Sequence, residues 1–249
     1  TLTAGGNNTS TTFSGVLSGT GGLTKAGTGT LTLSGANTYT GTTTINTGGL
    51  TLSGGSAIAD TGAVVLANAA GATLTVSTAE TIGSLAGGGG TGGNVTLTAA
   101  LTTGGDNTST TFGGVASGAG ALNKTGTGTF TLSGNNTYTG GTNFYGGRIT
   151  AQNVFAFGGA DGTTAGALNL YSTGSIGVTN QVDLLADGGM LLCSLPNDWG
   201  AKRFEQRLKE VAGQVGTLAK HHCLVFWAKK SADWKQEMLA EWRKGGEFR

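Results

Sequence analysis

Of the 249 residues, 49 are glycine and only 11% are charged, with Lys+Arg 14 against Asp+Glu 13. That balance gives no electrostatic basis for nucleic acid or anionic lipid as a partner, and no run approaches the 18 apolar residues of a membrane-spanning helix. The hydrophobic content, 37%, is too high and too evenly spread for a disordered linker.

From the N-terminus, short runs alternate small or polar residues with apolar ones. Thr28–Leu33, Gly49–Leu52, Ala72–Val76, Asn94–Thr98 and Ala167–Leu170 all follow this rule, as strands with one buried face do. Between them lie Ser-Gly-Ala-Asn, Thr-Gly-Gly and Asn-Thr-Gly-Gly, which turn the chain because Gly and Asn tolerate positive φ. Short strands at such regular spacing predict an all-β fold. Residues 5–41 and 104–140 are nearly the same sequence at an offset of 99 positions, differing at nine of 37. Phe13 matches Phe112, Lys25 matches Lys124, Leu33 matches Leu132 and Tyr39 matches Tyr138. A sandwich rarely repeats its own sequence, whereas a solenoid stacks equivalent coils over a continuous core. Residues 1–189 are therefore expected to form a right-handed parallel β-helix of roughly eight coils, about 40 Å long at ~4.8 Å per coil.

The composition changes abruptly near residue 190. Residues 1–189 hold three basic residues (Lys25, Lys124, Arg148), while 190–249 hold the other eleven, all four Trp, both Cys, both His and the one Pro. Phe204, Leu208, Val211, Val215 and Leu218 are spaced as on an amphipathic helix. Leu224–Ala228 reads as a short strand, and Ser231 as the cap of a second helix bearing Trp234, Met238 and Trp242. The tail is thus expected as a small helical segment, either a cap on the last coil, a separate fused module or a frame-shifted end.

Candidate sites are few. Lys25 and Lys124 read as solvated charges on a β surface, and Tyr39 and Tyr138 as aromatics packed beside a turn with bonded hydroxyls. The Thr-x-Thr runs at Thr28/Thr30/Thr32, Thr40/Thr42/Thr44, Thr73/Thr75 and Thr127/Thr129/Thr131 suggest an ice-binding array. Their uneven spacing and the intrusion of Phe and Gly favour ordinary strand propensity instead. Gly87–Gly93 lacks Asp and Asp161 is isolated, so calcium is not expected. Cys193, His221, His222 and Cys223 do not have zinc spacing; a disulfide between Cys193 and Cys223 or two free thiols are the readings left open. No residue is assigned a catalytic, cofactor-binding or metal-binding role, no cofactor is expected, and the chain is not expected to be an enzyme.

The segment Gly21–Leu52, GGLTKAGTGTLTLSGANTYTGTTTINTGGLTL, and its second copy Gly120–Thr150, GALNKTGTGTFTLSGNNTYTGGTNFYGGRIT, resemble the passenger-associated transport repeat of bacterial autotransporters. The resemblance extends over about residues 1–189. It implies a passenger exported through the outer membrane of a Gram-negative bacterium, secreted or displayed on the cell surface. In that family the repeat is associated with translocation and β-helix folding and brings no catalytic residues. The implied partners are the translocator barrel during export and a protein or glycan on host or neighbouring cells. Residues 190–249 lack the alternating strands of such a barrel, and the chain, which starts at Thr1 without a leader, reads as a fragment. The competing expectation is an exported enzyme or effector whose activity lies in the tail or in a domain outside this sequence.

Overall fold

A computed structural model describes residues 1–153, 155–159, 168–171, 175–178, 190–196, 214–220 and 223–229. The chain divides into two compact units, Thr1–Val182 and Asp183–Arg249.

The described strands of the first unit have two to four residues, and all their pairings are parallel. They stack in three sheets. The nine-stranded sheet runs through Leu2–Ala4, Leu23–Lys25, Thr43–Ile45, Ala63–Leu66, Ser84–Gly87, Thr110–Phe112, Thr129–Leu132, Arg148–Ala151 and Ser175–Val178. The six-stranded sheet holds Thr11–Phe13, Thr30–Leu33, Gly49–Leu52, Thr73–Val76, Asn94–Leu97 and Ala116–Ser117. The five-stranded sheet holds Glu80–Thr81, Leu101–Thr103, Leu122–Lys124, Thr142–Phe144 and Leu168–Leu170. The chain visits the faces in rotation, which makes the unit a parallel β-solenoid, as the repeat predicts.

Alternation decides which side chains enter. In Thr30–Leu33, Gly49–Leu52, Thr73–Val76 and Asn94–Leu97 the second and fourth residues are buried and the others partly exposed. Leu31 lies over Leu50 and Leu50 over Leu74; Leu33 lies over Leu52 and Leu52 over Val76. Each buried aliphatic side chain is worth about 1.5–3 kcal/mol. The coils are joined beyond their strands by main-chain bonds such as Ala26 N–H to Ala4 O (2.8 Å), Asn46 N–H to Lys25 O (3.0 Å) and Ala67 N–H to Ile45 O (2.9 Å).

The two copies of the repeat do not occupy the same faces. Leu23–Lys25 and Thr43–Ile45 lie in the nine-stranded sheet, but their counterparts Leu122–Lys124 and Thr142–Phe144 lie in the five-stranded one. Likewise Thr30–Leu33 belongs to the six-stranded sheet and Thr129–Leu132 to the nine-stranded one. The 99-residue offset is not a whole number of coils, so the second copy is turned by one face of three.

In the second unit, Met190–Pro196, Gln214–Lys220 and Cys223–Lys229 form an antiparallel sheet with Cys223–Lys229 in the centre. The expected strand at Leu224–Ala228 is present within it. The expected helix through Val215 and Leu218 is not: Gln214–Lys220 is a strand. Gly213 and Gly216 penalise a helix there, Val215 and Thr217 favour extended backbone, and seven residue pairs with Cys223–Lys229 decide the outcome. Phe204, Leu208 and Val211, and the second helix expected from Ser231, lie outside the described residues. Cys193 pairs with Phe226 and Cys223 with Pro196. A three-residue offset is about 10 Å of strand, beyond the ~7 Å that a disulfide spans, so this register does not allow a Cys193–Cys223 bridge.

Leu74 lies fully buried, with Leu50 and Val95 as its neighbours in the stack. Leu74→Ala is expected to cost about 2–5 kcal/mol, read as a lowered urea midpoint. An unchanged midpoint would refute the stacked-core account.

Candidate functional site

The residues that the repeat shares turn out to bind coil to coil. Lys25 and Lys124, expected on the surface, are 0% and 1% exposed. In Leu23-Thr-Lys25, lysine has the same parity as Leu23, and the strand carries both inward. The Lys25 ammonium donates to the carbonyls of Ala26 (2.7 Å), Gly27 (2.8 Å) and, from the next coil, Thr47 (3.2 Å). Lys124 does the same with Thr125, Gly126 (3.1 Å) and Gly146 (3.2 Å). Burial pushes both ammonium groups below the ordinary lysine range, with Asp106 partly opposing this at Lys124. Three carbonyl dipoles stand in for the water that the cation has lost. Gly48 and Gly147 make room for this arrangement: both have positive φ, 69° and 74°, and a Cβ on either would collide with carbonyl oxygens of the preceding coil.

Three further features are shared by the two copies. The buried Asn37 side chain accepts from Leu17 N–H (2.7 Å) and donates to Ala57 O (2.7 Å), spanning three coils. Asn136 repeats this between Ala116 N–H (2.8 Å) and Ala156 O (2.7 Å). Tyr39 and Tyr138 are buried with their hydroxyls paired to Thr43 (2.6 Å) and Thr142, as expected from sequence. Asn8 and Asn107, both at φ 63°, accept from the Thr28 and Thr127 amides of the next coil (2.8 Å each). Sequence reading did not single out these asparagines; the signal available was their recurrence at the same offset.

Glu80 was not singled out either. It is buried in the five-stranded sheet, with Oε1 accepting from Ile58 N–H (2.9 Å) and Oε2 lacking a protein partner. Burial raises its carboxyl above the usual range; the Ile58 amide opposes this and nearby Asp60 adds to it.

The outward faces are nearly uncharged. On the six-stranded sheet, Thr12, Thr32, Thr51, Thr75, Thr96 and Ser117 stand in register as one continuous row. Turns of unequal length absorb the uneven spacing seen in the sequence. The neighbouring row runs Thr30, Gly49, Thr73, Asn94, so glycine does intrude and the hydroxyls make a line rather than a plane. On the five-stranded sheet an amide ladder climbs outward: Asn123 Nδ2 donates to Thr102 Oγ1 (3.2 Å), Asn143 Nδ2 to Asn123 Oδ1 (2.8 Å) and Asn169 Nδ2 to Asn143 Oδ1 (2.8 Å). Beside it, Tyr145 and Tyr171 stack with ring centroids 4.9 Å apart and planes 13° apart.

The glycine-rich Gly87–Gly93 forms a tight turn closed by Gly89 and Gly92. Asp161, His221 and His222 lie outside the described residues. A shallow concavity at the first coils, lined by Leu2, Leu17, Leu23 and Tyr39, holds no carboxylate, imidazole or thiol.

The passenger-associated-transport-repeat family matches residues 23–52 and 122–151, the two segments that carry the lysine cradles and the Tyr–Thr pairs. The chain is also 40% identical over 189 residues to the adhesin BmaC autotransporter of Brucella suis biovar 1 (strain 1330), a match covering 74% of this chain. It spans 5% of the length of that relative. No solved structure matches.

Lys124→Met, which keeps the alkyl stem and removes the ammonium, leaves three buried carbonyls without a donor. A loss of about 3 kcal/mol or more is expected, measured as a denaturant midpoint; no loss would mean that the cradle contributes nothing net. The Glu80 prediction concerns pH. Its folded-state value is raised, so the stability it contributes is full below the unfolded carboxyl value near ~4.3 and is lost as pH rises through the folded value. Glu80→Gln is expected to flatten the fall in melting temperature as pH rises above the unfolded carboxyl value. An unaltered slope would show that Glu80 does not titrate as described.

Proposed function

This chain is a segment of an autotransporter passenger with two passenger-associated transport repeats, and from that premise we propose that it is a non-catalytic adhesive scaffold. It is displayed on or released from the surface of a Gram-negative cell and contacts molecules on other cells. The similarity to an adhesin over 189 residues, together with the regular stack of coils, carries this reading. The disposition of the charged groups supports its non-catalytic part. Lys25, Lys124 and Glu80 are each buried and bonded to main chain of adjoining coils, which leaves them no path to a substrate.

The repeats have a role of their own in this proposal. Each lysine cradle and asparagine bridge is completed only when a neighbouring coil is in place, so coils that leave an export channel in order lock onto their predecessors. Residues 190–249 we assign to a separate module.

Beads coated with the 1–249 chain are expected to attach to cultured mammalian epithelial cells several-fold more than beads coated with serum albumin. Attachment at the albumin level would overturn the adhesive reading.

A further inference from the structure

Leu2, Phe13, Val16, Tyr145 and Tyr171 are the large apolar side chains exposed among the described residues. The first three lie on the first coil, whose edge strands Leu2–Ala4 and Thr11–Phe13 each have one paired neighbour. The two tyrosines are different. Tyr145 follows an inner strand of the five-stranded sheet and Tyr171 follows its last strand; Tyr145 N–H bonds to Lys124 O and Tyr171 N–H to Phe144 O (2.8 Å each), and the two are 44% and 62% exposed. At Tyr145 the core is filled from the other side of the strand, by the preceding residue Phe144, which turns inward.

What adjoins the ring pair is the amide ladder. Asn143 and Asn169 each precede a tyrosine by two positions in the same strand direction, so ladder and rings share the outward side of one sheet. An amide offers two N–H donors and two acceptor lone pairs. At Asn143 the ladder uses one donor and one lone pair, leaving one of each; the same holds for Asn123. Rungs recur at the coil spacing of about 4.8 Å, and mutual bonding holds them in place, so little side-chain freedom is lost when a ligand binds. The outward residues of this sheet, Thr81, Thr102, Asn123, Asn143 and Asn169, include no charge.

We propose that this face, Tyr145 and Tyr171 with Asn123, Asn143 and Asn169, is a binding site for an uncharged glycan. The inference rests on the adhesive reading and names its ligand class. A saccharide needs donor and acceptor at each contact, because a hydroxyl is both, and an aromatic surface against which the C–H face of a pyranose can lie. The amide rungs supply the first and the tyrosines the second. The ring of Tyr145 follows the short Thr125 in the coil sequence of this row, a step in side-chain height at which a sugar ring can lodge. A protein partner would be expected to find apolar anchors in a pocket and a polar rim around them; here a flat polar ladder flanks one aromatic pair.

The test is a printed array of neutral and sialylated oligosaccharides probed with the 1–249 chain, alongside the bead assay on cells treated or not with periodate. Binding to neutral glycans is expected, reduced at least tenfold by Tyr145→Ala and by Asn143→Ala and unaffected by Thr51→Ala on the six-stranded face. Circular dichroism of each variant confirms the fold, and Tyr145→Phe, which keeps the ring, is expected to retain binding. Attachment to cells that survives periodate, with no array signal, would overturn the glycan site while leaving the adhesive reading intact. Array signal confined to sialylated glycans, or unchanged in Tyr145→Ala and Asn143→Ala, would also overturn it. Absence of both array signal and cell attachment would remove the adhesive reading itself.

Discussion

The main-chain hydrogen bond from one coil to the next is the interaction on which everything else in Thr1–Val182 depends. Strands of two to four residues have no stable existence apart from their neighbours, and no described strand of this unit pairs with a strand adjacent to it in its own coil. Strand is bonded to strand about one circuit away. Side chains then matter through what they add to that ladder. Leucines over leucines supply the burial, and Asn37 and Asn136 bond the turns, where carbonyls and amides of three successive coils would otherwise drift apart.

The lysine cradle shows how far this logic extends. A cation in the core is ordinarily costly, and neither lysine has a carboxylate at bonding distance among the described residues. The turns of two coils converge on each ammonium with their carbonyls, and these are oxygens that the strand ladder leaves over. The charge is thus used to satisfy main chain rather than to meet another charge. Glycine at positions 48 and 147 lets the backbones come close enough for this to work.

How much of this was legible in the sequence depended on whether parity or residue type was trusted. Parity alone placed Leu31, Leu33, Leu50 and Leu52 inside correctly, and would have done the same for Lys25, two residues after Leu23. The expectation of a surface lysine followed the general habit of charged side chains and lost to the strand. Tyr39 and Tyr138 were legible because an aromatic hydroxyl near threonine finds a partner. The row from Thr12 to Ser117 was only half legible, since turns of unequal length hide register that the sheet restores. The Tyr145–Tyr171 stack was not legible: 26 residues separate the pair, and only the coil geometry brings them into contact. In the tail, apolar spacing mimicked a helix around Val215 and Leu218, while glycine and β-branched residues at the same place pointed the other way.

The turn of the second repeat copy by one face bears on how such a chain changes over generations. Two stretches that agree at 28 of 37 positions are natural substrates for unequal crossing-over, which would excise or duplicate 99 residues. Because all three walls of this rod accept the same strand types, the splice would leave a continuous ladder. It would also swing everything beyond the junction to a new compass bearing around the axis. A single recombination event would thus alter both how far the distal part reaches from the cell and which way it points.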